Sequence, residues 1–204
     1  MNATGRALRR AAFLDRDGVI NIDRGYVFRR DDFQFVAGVL EGARRLHELG
    51  FLLVVTSNQS GIGRGLYTED EFHGLTAWMR NEFLAAGAPL AGVYFCPHHP
   101  TEARSEYRRT CQCRKPAPGM LLAAAHDLGI DLGSSAMFGD KMSDLEAARA
   151  AGVPIRVLLG TDGRETPALP SADGLATAAY RGLLDATADA AILAPAHAAR
   201  SVAG

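Results

Sequence analysis

An α/β fold, with a mainly parallel central sheet and helices on both faces, is predicted by three observations. Nearly continuous apolar runs alternate with segments of helical period, the pattern of strands buried on both sides of a sheet. Three of those strands end in polar groups, Asp15, Ser57-Asn58 and Asp140, where open α/β sheets bind ligands, beyond the C-terminal strand ends. The chain has 204 residues, 48% hydrophobic and 22% charged, the composition of a soluble globular protein and the length of about one domain.

The elements follow in order. Ala11–Leu14 is a short apolar strand that delivers Asp15-Arg16-Asp17-Gly18 at its C-terminal end. Val39, Leu40, Ala43, Leu46 and Leu49 recur at helical spacing, and Gly50 closes that helix. Phe51–Thr56 is a second apolar strand. Thr68 and Glu71 form a capping box ahead of Phe72, Leu75, Met79 and Phe83, again at helical spacing. Trp78 lies on that helix as a packing residue. Gly92–Phe95 is a third strand, running into a Cys/His segment. Gly119–Leu128 reads as a helix, Ala136–Phe138 as a strand and Pro154–Leu159 as another. Between the last two, Ser143–Ala151 is a helix, with Ser143 and Glu146 as its capping box. The Ala-rich tail beyond about residue 186 is left unassigned.

Formal net charge is -1, so no global basic field argues for nucleic acid or an anionic membrane. No apolar run reaches the length of a membrane span. The apolar stretch after Arg6, Arg9 and Arg10 stops at Asp15, too short for a signal peptide. A cytoplasmic monomer acting on a small molecule is expected. Twenty of the 22 basic residues are arginine, and both lysines, Lys115 and Lys141, fall beside candidate site residues.

Asp15 and Asp17 sit at the mouth of the sheet, with Gly18 permitting a sharp turn. A carboxylate there can attack phosphorus, and a second one, two residues on, can protonate the leaving oxygen and then deprotonate water. Asp140, at a later strand end, completes an oxygen-ligand site suited to Mg²⁺. Lys115 would offset phosphoryl charge, and Ser57 would donate a hydrogen bond to it.

Phe13-Leu14-Asp15-Arg16-Asp17-Gly18-Val19, then Ser57-Asn58-Gln59, then Lys115, then Gly139-Asp140-Lys141-x-x-Asp144 resembles the haloacid-dehalogenase (HAD) superfamily of phosphatases. Its four motifs arrive in that superfamily's order across roughly residues 11 to 160. The resemblance implies a Rossmann-like HAD fold. Asp15 would be the nucleophile, Asp17 the general acid/base, and Ser57 and Lys115 the phosphoryl clamps. Asp15, Asp17 and Asp140 would hold Mg²⁺, Asp17 often through its backbone carbonyl. Asp144 is left open, because an acidic residue is favoured in a first helical turn anyway. No large insertion follows Gly18 or Ser57, so no separate cap domain is expected and residues 1–204 read as a single phosphatase domain.

Cys96-Pro97-His98 and Cys111-Gln112-Cys113 supply three thiolates and an imidazole, a donor set for a closed, structural tetrahedral Zn²⁺ site. His98 is preferred over His99 as the ligand. The site would staple a long loop immediately before Arg114-Lys115, fixing the lysine.

Two HAD subgroups share a Cys-x-His…Cys-x-Cys loop followed by Arg-Lys-Pro: heptose-bisphosphate phosphatases and histidinol-phosphate phosphatases. Three features look like the heptose group: Asp23-Arg24-Gly25-Tyr26, the Asn58-Gln59-Ser60-Gly61 segment, and twelve residues between His98 and Cys111. The implied reaction removes the 7-phosphate of D-glycero-D-manno-heptose 1,7-bisphosphate, on the route to ADP-heptose for lipopolysaccharide core. Substrate contacts would then come from Asp23, Arg24, Gly25, Tyr26, Asn58, Gln59, Ser60, Arg114 and Lys141, with Arg114 holding a second phosphate bidentately. The alternatives are a histidinol-phosphate phosphatase or a non-catalytic, zinc-stapled phosphosugar-binding module. Gly61-x-Gly63-x-Gly65 lacks the spacing of a dinucleotide-binding loop.

Overall fold

Six parallel strands form one sheet in the computed structural model, which describes residues 8–168 and 174–189. The strands are β1 (Ala11–Leu14), β2 (Leu52–Asn58), β3 (Leu90–Cys96), β4 (Ala136–Gly139), β5 (Ile155–Leu159) and β6 (Ala178–Tyr180), in the order β3-β2-β1-β4-β5-β6. The helices are α1 (Val39–Glu48), α2 (Ser60–Arg64), α3 (Glu69–Ala85), α4 (Gly119–Leu128), α5 (Met142–Ala150) and α6 (Leu183–Ala186).

Strand alternation divides the core between two faces. Leu14, Leu53, Val55, Phe138 and Val157 pack with Ala43 and Leu46 of α1, Met79 and Phe83 of α3, and Leu183 of α6. Phe13, Val54, Met137 and Leu158 pack on the other face, against Leu121 and Ala124 of α4 and Leu145 and Ala148 of α5. Apolar residues on both faces explain why the strands read as continuous runs. Trp78 packs edge-on against Phe33, 5.2 Å between centroids, and serves as core.

Several boundaries differ from the sequence reading. β2 continues two residues past Thr56, because Ser57 and Asn58 still pair with Phe95 and Cys96 of β3. β3 begins at Leu90 rather than Gly92. The predicted Ser143/Glu146 capping box is not formed. α5 begins one residue earlier, with Lys141 as its N-cap, and the Asp144 carboxylate accepts the Lys141 N–H at 3.1 Å. β6 and α6 carry too short a pattern to stand out in the sequence, and α2 is a single Gly-rich turn and a half. Residues 190–204 of the unassigned tail lie outside the described residues.

The direction in which successive strands are added reverses at the centre of the sheet. β2 and β3 lie to one side of β1, and β4, β5 and β6 to the other. A crevice opens at that switch point, beyond the C-terminal ends of β1 and β4, where Asp15 and Asp140 emerge.

Candidate active site

Asp15, Asp140 and Asp144 bring carboxylate oxygens within 4.8 Å of one another. Two glycines make this approach possible. A Cβ on Gly18 would stand 2.2 Å from Asp140 Oδ2, and Gly18 is left-handed at φ +101°. A Cβ on Gly139 would stand 2.4 Å from the Asp144 Cβ.

Lys115 is buried at 3% exposure. Its Nζ lies 2.6 Å from Asp15 Oδ1 and 2.7 Å from Asp144 Oδ1, and donates to the Thr56 carbonyl at 2.7 Å. Burial works to strip its charge, but Asp144 and Asp15 outweigh it and hold its pKa above the ordinary value. One buried cation shared between two carboxylates does not neutralise three. Burial, reinforced by Asp144 and Asp17 against the pull of Lys115, pushes Asp15 up to about 6. Burial and the charge of Asp15 push Asp140 up to about 7, and its buried Oδ1 has no hydrogen-bond partner among the described residues. Three carboxylates against one lysine leave two excess negative charges at a hard-oxygen cluster, which fits a divalent cation such as Mg²⁺.

Asp17 is placed differently. Its carboxylate stands outside this cluster, held by Arg16, Asn21 and Gln59. A side-chain place for it among the Mg²⁺ ligands is therefore not supported, and only the backbone-carbonyl form of that expectation stays open. Asp144, left open by the sequence, takes its place in the cluster. The reason is α5 starting at Met142, which turns Asp144 in its first turn back toward β1. Ser57, buried, accepts from Gln59 Nε2 at 2.6 Å, which leaves its own hydroxyl hydrogen to donate.

Next to the cluster lies a cavity of about 290 Å³ lined by Asp17, Asp23, Gly25, Tyr26, Asn58, Gln59, Ser60, Tyr67 and Lys141. Most predicted substrate residues therefore converge. Asp23 accepts from Lys141 Nζ at 3.0 Å and from the Gly25 N–H at 3.0 Å. Burial opposes its charge, but those two donors hold its pKa below the ordinary value. Gly25 and Tyr26 are both left-handed, at φ +74° and +53°, and put the half-exposed Tyr26 ring at the rim. Asn58 lines the cavity but spends its amide elsewhere: it donates to the Lys115 carbonyl at 3.1 Å and accepts the Lys115 N–H at 3.0 Å.

Two predicted contacts do not converge. Arg24 donates to Gln34 Oε1 at 2.8 Å on the surface. Arg114 donates to the His98 carbonyl at 3.2 Å and lines a separate cleft with Pro116 and Ala117. Neither guanidinium lines the cavity, which residue order alone cannot reveal. Sequence reasoning also missed Arg16, which sits between the two motif carboxylates at a position given no role, and Tyr67, which lies in no motif. A larger cleft, about 570 Å³ beside the acidic first turn of α3, lies apart from the carboxylate cluster.

Cys96, His98, Cys111 and Cys113 converge as anticipated. Cys113 Sγ lies 3.2 Å from Cys96 Sγ, 3.3 Å from Cys111 Sγ and 3.2 Å from His98 Nδ1. Tetrahedral Zn–S bonds would separate sulfurs by about 3.8 Å, so the donors fit after parting by a few tenths of an ångström. Burial and the Arg109 charge lower the His98 pKa, keeping it in the neutral form that ligates. His99 instead accepts the Glu102 N–H at 3.0 Å.

The parallel sheet, with a strand-end Asp-x-Asp, a buried lysine and a carboxylate cluster at its switch point, defines a phosphatase of the HAD class. A family model described as HAD-hydrolase-like matches residues 112–186. The chain is 52% identical over 151 residues to a D-glycero-beta-D-manno-heptose-1,7-bisphosphate 7-phosphatase of Yersinia pestis, covering 74% of this chain and 80% of that one. It is 47% identical over 175 residues to the protein of that name from Escherichia coli K12, covering 86% and 90%. Among solved structures, it is similar to D,D-heptose 1,7-bisphosphate phosphatase from B. bronchiseptica complexed with magnesium and phosphate. That match has TM-score 0.74 and 29% identity, and covers 88% of this chain and 96% of that one. The chain belongs to the family of HAD phosphatases that contains these heptose-bisphosphate 7-phosphatases. Among the described residues, no helix is long and apolar enough to cross a membrane.

Proposed function

We propose that this chain hydrolyses the 7-phosphate of D-glycero-D-manno-heptose 1,7-bisphosphate through an aspartyl-phosphate on Asp15. The observation that carries this reading is the pairing of Asp15 with buried Lys115 beside a cavity lined by Asp17, Asp23 and Lys141. Identity of about half with relatives of that name supports the substrate.

Asp15 would attack phosphorus, with Lys115 engaging its Oδ1 and the incoming phosphoryl oxygens. Ser57 would donate its hydroxyl hydrogen to the phosphoryl group. Asp17 would give a proton to the departing sugar oxygen, then take one from the water that cleaves the acyl phosphate. Asp15, Asp140 and Asp144, with the Asp17 carbonyl, would hold Mg²⁺, which supplies charge neutralisation for the transferring phosphoryl group. Lys141, paired with Asp23 at the cavity, is the cation best placed for the sugar or its second phosphate. Zinc on Cys96, His98, Cys111 and Cys113 would be structural. An anionic sugar phosphate on the route to ADP-heptose for lipopolysaccharide core fits a cytoplasmic enzyme.

The test is phosphate release with Mg²⁺ from heptose 1,7-bisphosphate, histidinol phosphate and fructose 1,6-bisphosphate, compared as kcat/KM. A preference for the heptose of ~100-fold, about 2.7 kcal/mol of differential transition-state binding, is expected. Preference for histidinol phosphate would overturn the substrate, and no turnover of any would overturn the enzyme reading.

A further inference from the structure

Asp17 is held more completely than an acid–base group needs for its own solvation. Arg16 Nη2 donates to its Oδ1 at 2.9 Å and Arg16 Nε to its Oδ2 at 3.1 Å. Asn21 Nδ2 donates to Oδ1 at 3.1 Å, and Gln59 Nε2 to Oδ2 at 2.9 Å. Two donors on each oxygen fix both the position and the rotation of the carboxylate.

The donors are themselves built in. Arg16 is 2% exposed. Its Nη2 also donates to the Val27 carbonyl at 2.7 Å, in the segment just after Gly25-Tyr26, and its guanidinium lies 5.8 Å from the Phe72 ring centroid. Burying an arginine is costly unless its charge is paired, and Asp17 is its ion-pair partner. Gln59 is also 2% exposed. Its Nε2 donates to Asp17 and to Ser57 Oγ, while its Oε1 accepts the Tyr67 hydroxyl at 2.5 Å. Both amide hydrogens are thus committed to the site, with none left for a sugar. Tyr67, 5% exposed, is fixed in turn by stacking on Phe28, 5.0 Å between centroids with 9° between planes.

We propose that Arg16 and Gln59, the latter aligned by Tyr67, are positioning residues that set the orientation of the Asp17 carboxylate for proton transfer. Arg16 further ties that orientation to the Gly25-Tyr26 rim of the cavity through Val27. The proposal rests on the reading of Asp17 as the acid–base group, and Gln59 passes from predicted substrate contact to support.

Leaving-group dependence tests it. A sugar alkoxide needs a proton as it departs, whereas an acidic nitrophenol does not. Single-turnover release of the alcohol is measured from heptose 1,7-bisphosphate and from p-nitrophenyl phosphate, in wild type, Arg16→Lys, Tyr67→Phe and Asp17→Asn. Tyr67→Phe keeps the stacked ring and removes only the hydroxyl, so it reports even where Arg16→Lys fails to fold. Asp17→Asn is expected to slow the sugar reaction by roughly 100-fold or more. Tyr67→Phe and folded Arg16→Lys are expected to slow it by about 10-fold, with the aryl reaction held within about 3-fold. Equal loss on both substrates, beside a selective loss in Asp17→Asn, overturns the positioning role. A non-selective Asp17→Asn overturns the acid–base reading, and the positioning role with it.

Discussion

Replacing Asp140 by asparagine is expected to stabilise the Mg²⁺-free protein while abolishing its response to Mg²⁺. Burial and Asp15 lift the Asp140 pKa from 3.8 to about 7, and its side chain is 2% exposed. Holding the charged form above pH 7 then costs about 4 kcal/mol relative to the unfolded chain. Taking about half of that as recoverable, because water entering the metal-free site relieves part of the strain, leaves ~2 kcal/mol. For a chain of this size, that corresponds to a rise in Tm of about 4–8 °C. The sign follows from proton counts. Between pH 4 and 7 the folded state holds a proton on Asp140 that the unfolded state has lost, so wild-type stability falls as pH rises through that window. Thermal melts at pH 5 and 8, in buffer freed of Mg²⁺ by dialysis with zinc retained, should show that fall in wild type and a flatter profile in Asp140→Asn. Adding Mg²⁺ should raise the wild-type Tm and leave the variant unchanged. A variant that melts below wild type at pH 8 without Mg²⁺, or that gains as much from Mg²⁺, would refute the argument.

Three further outcomes follow from the same geometry. Asp15→Asn should abolish turnover with the fold retained; normal phosphate release by a clean preparation would sink the nucleophile. Asn58→Ala removes both hydrogen bonds to the Lys115 backbone, so urea unfolding should show a loss of about 2 kcal/mol, and kcat should fall more than KM rises. Removing zinc should lower both Tm and activity, because the loop that ends at Cys113 is two residues from Lys115. Unchanged melting and turnover after zinc loss is verified would count against the staple.

Asp15, Ser57 and Asp140 were legible because buried parallel strands leave an unbroken apolar signature, and the polar residue that ends one stands at the mouth of the sheet. The thiolates and His98 were legible because their donor chemistry has few other uses. Asp144 was ambiguous, since helix N-termini favour acids whether or not a metal is near. Its place beside Asp15 and Asp140 follows only from where α5 begins. Arg24 and Arg114 lie away from the cavity lining because a long, flexible guanidinium goes to whichever acceptor packing brings within reach, Gln34 and the His98 carbonyl here.

The sequence by itself determined the parallel α/β architecture, the Cys/His donor set of the loop that ends at Cys113 and the identity of the phosphatase motifs. These depend on period, spacing and residue type, all local properties. Only the tertiary structure decided that Asp144 rather than the Asp17 carboxylate joins Asp15 and Asp140, that Asn58 clamps Lys115, and that Arg16 and Gln59 hold Asp17. Apart from Arg16, which is next to Asp17 in the chain, those are choices among partners distant in sequence, brought together where the C-terminal ends of β1, β2 and β4 meet at one crevice, and no local pattern encodes which of several capable side chains arrives there.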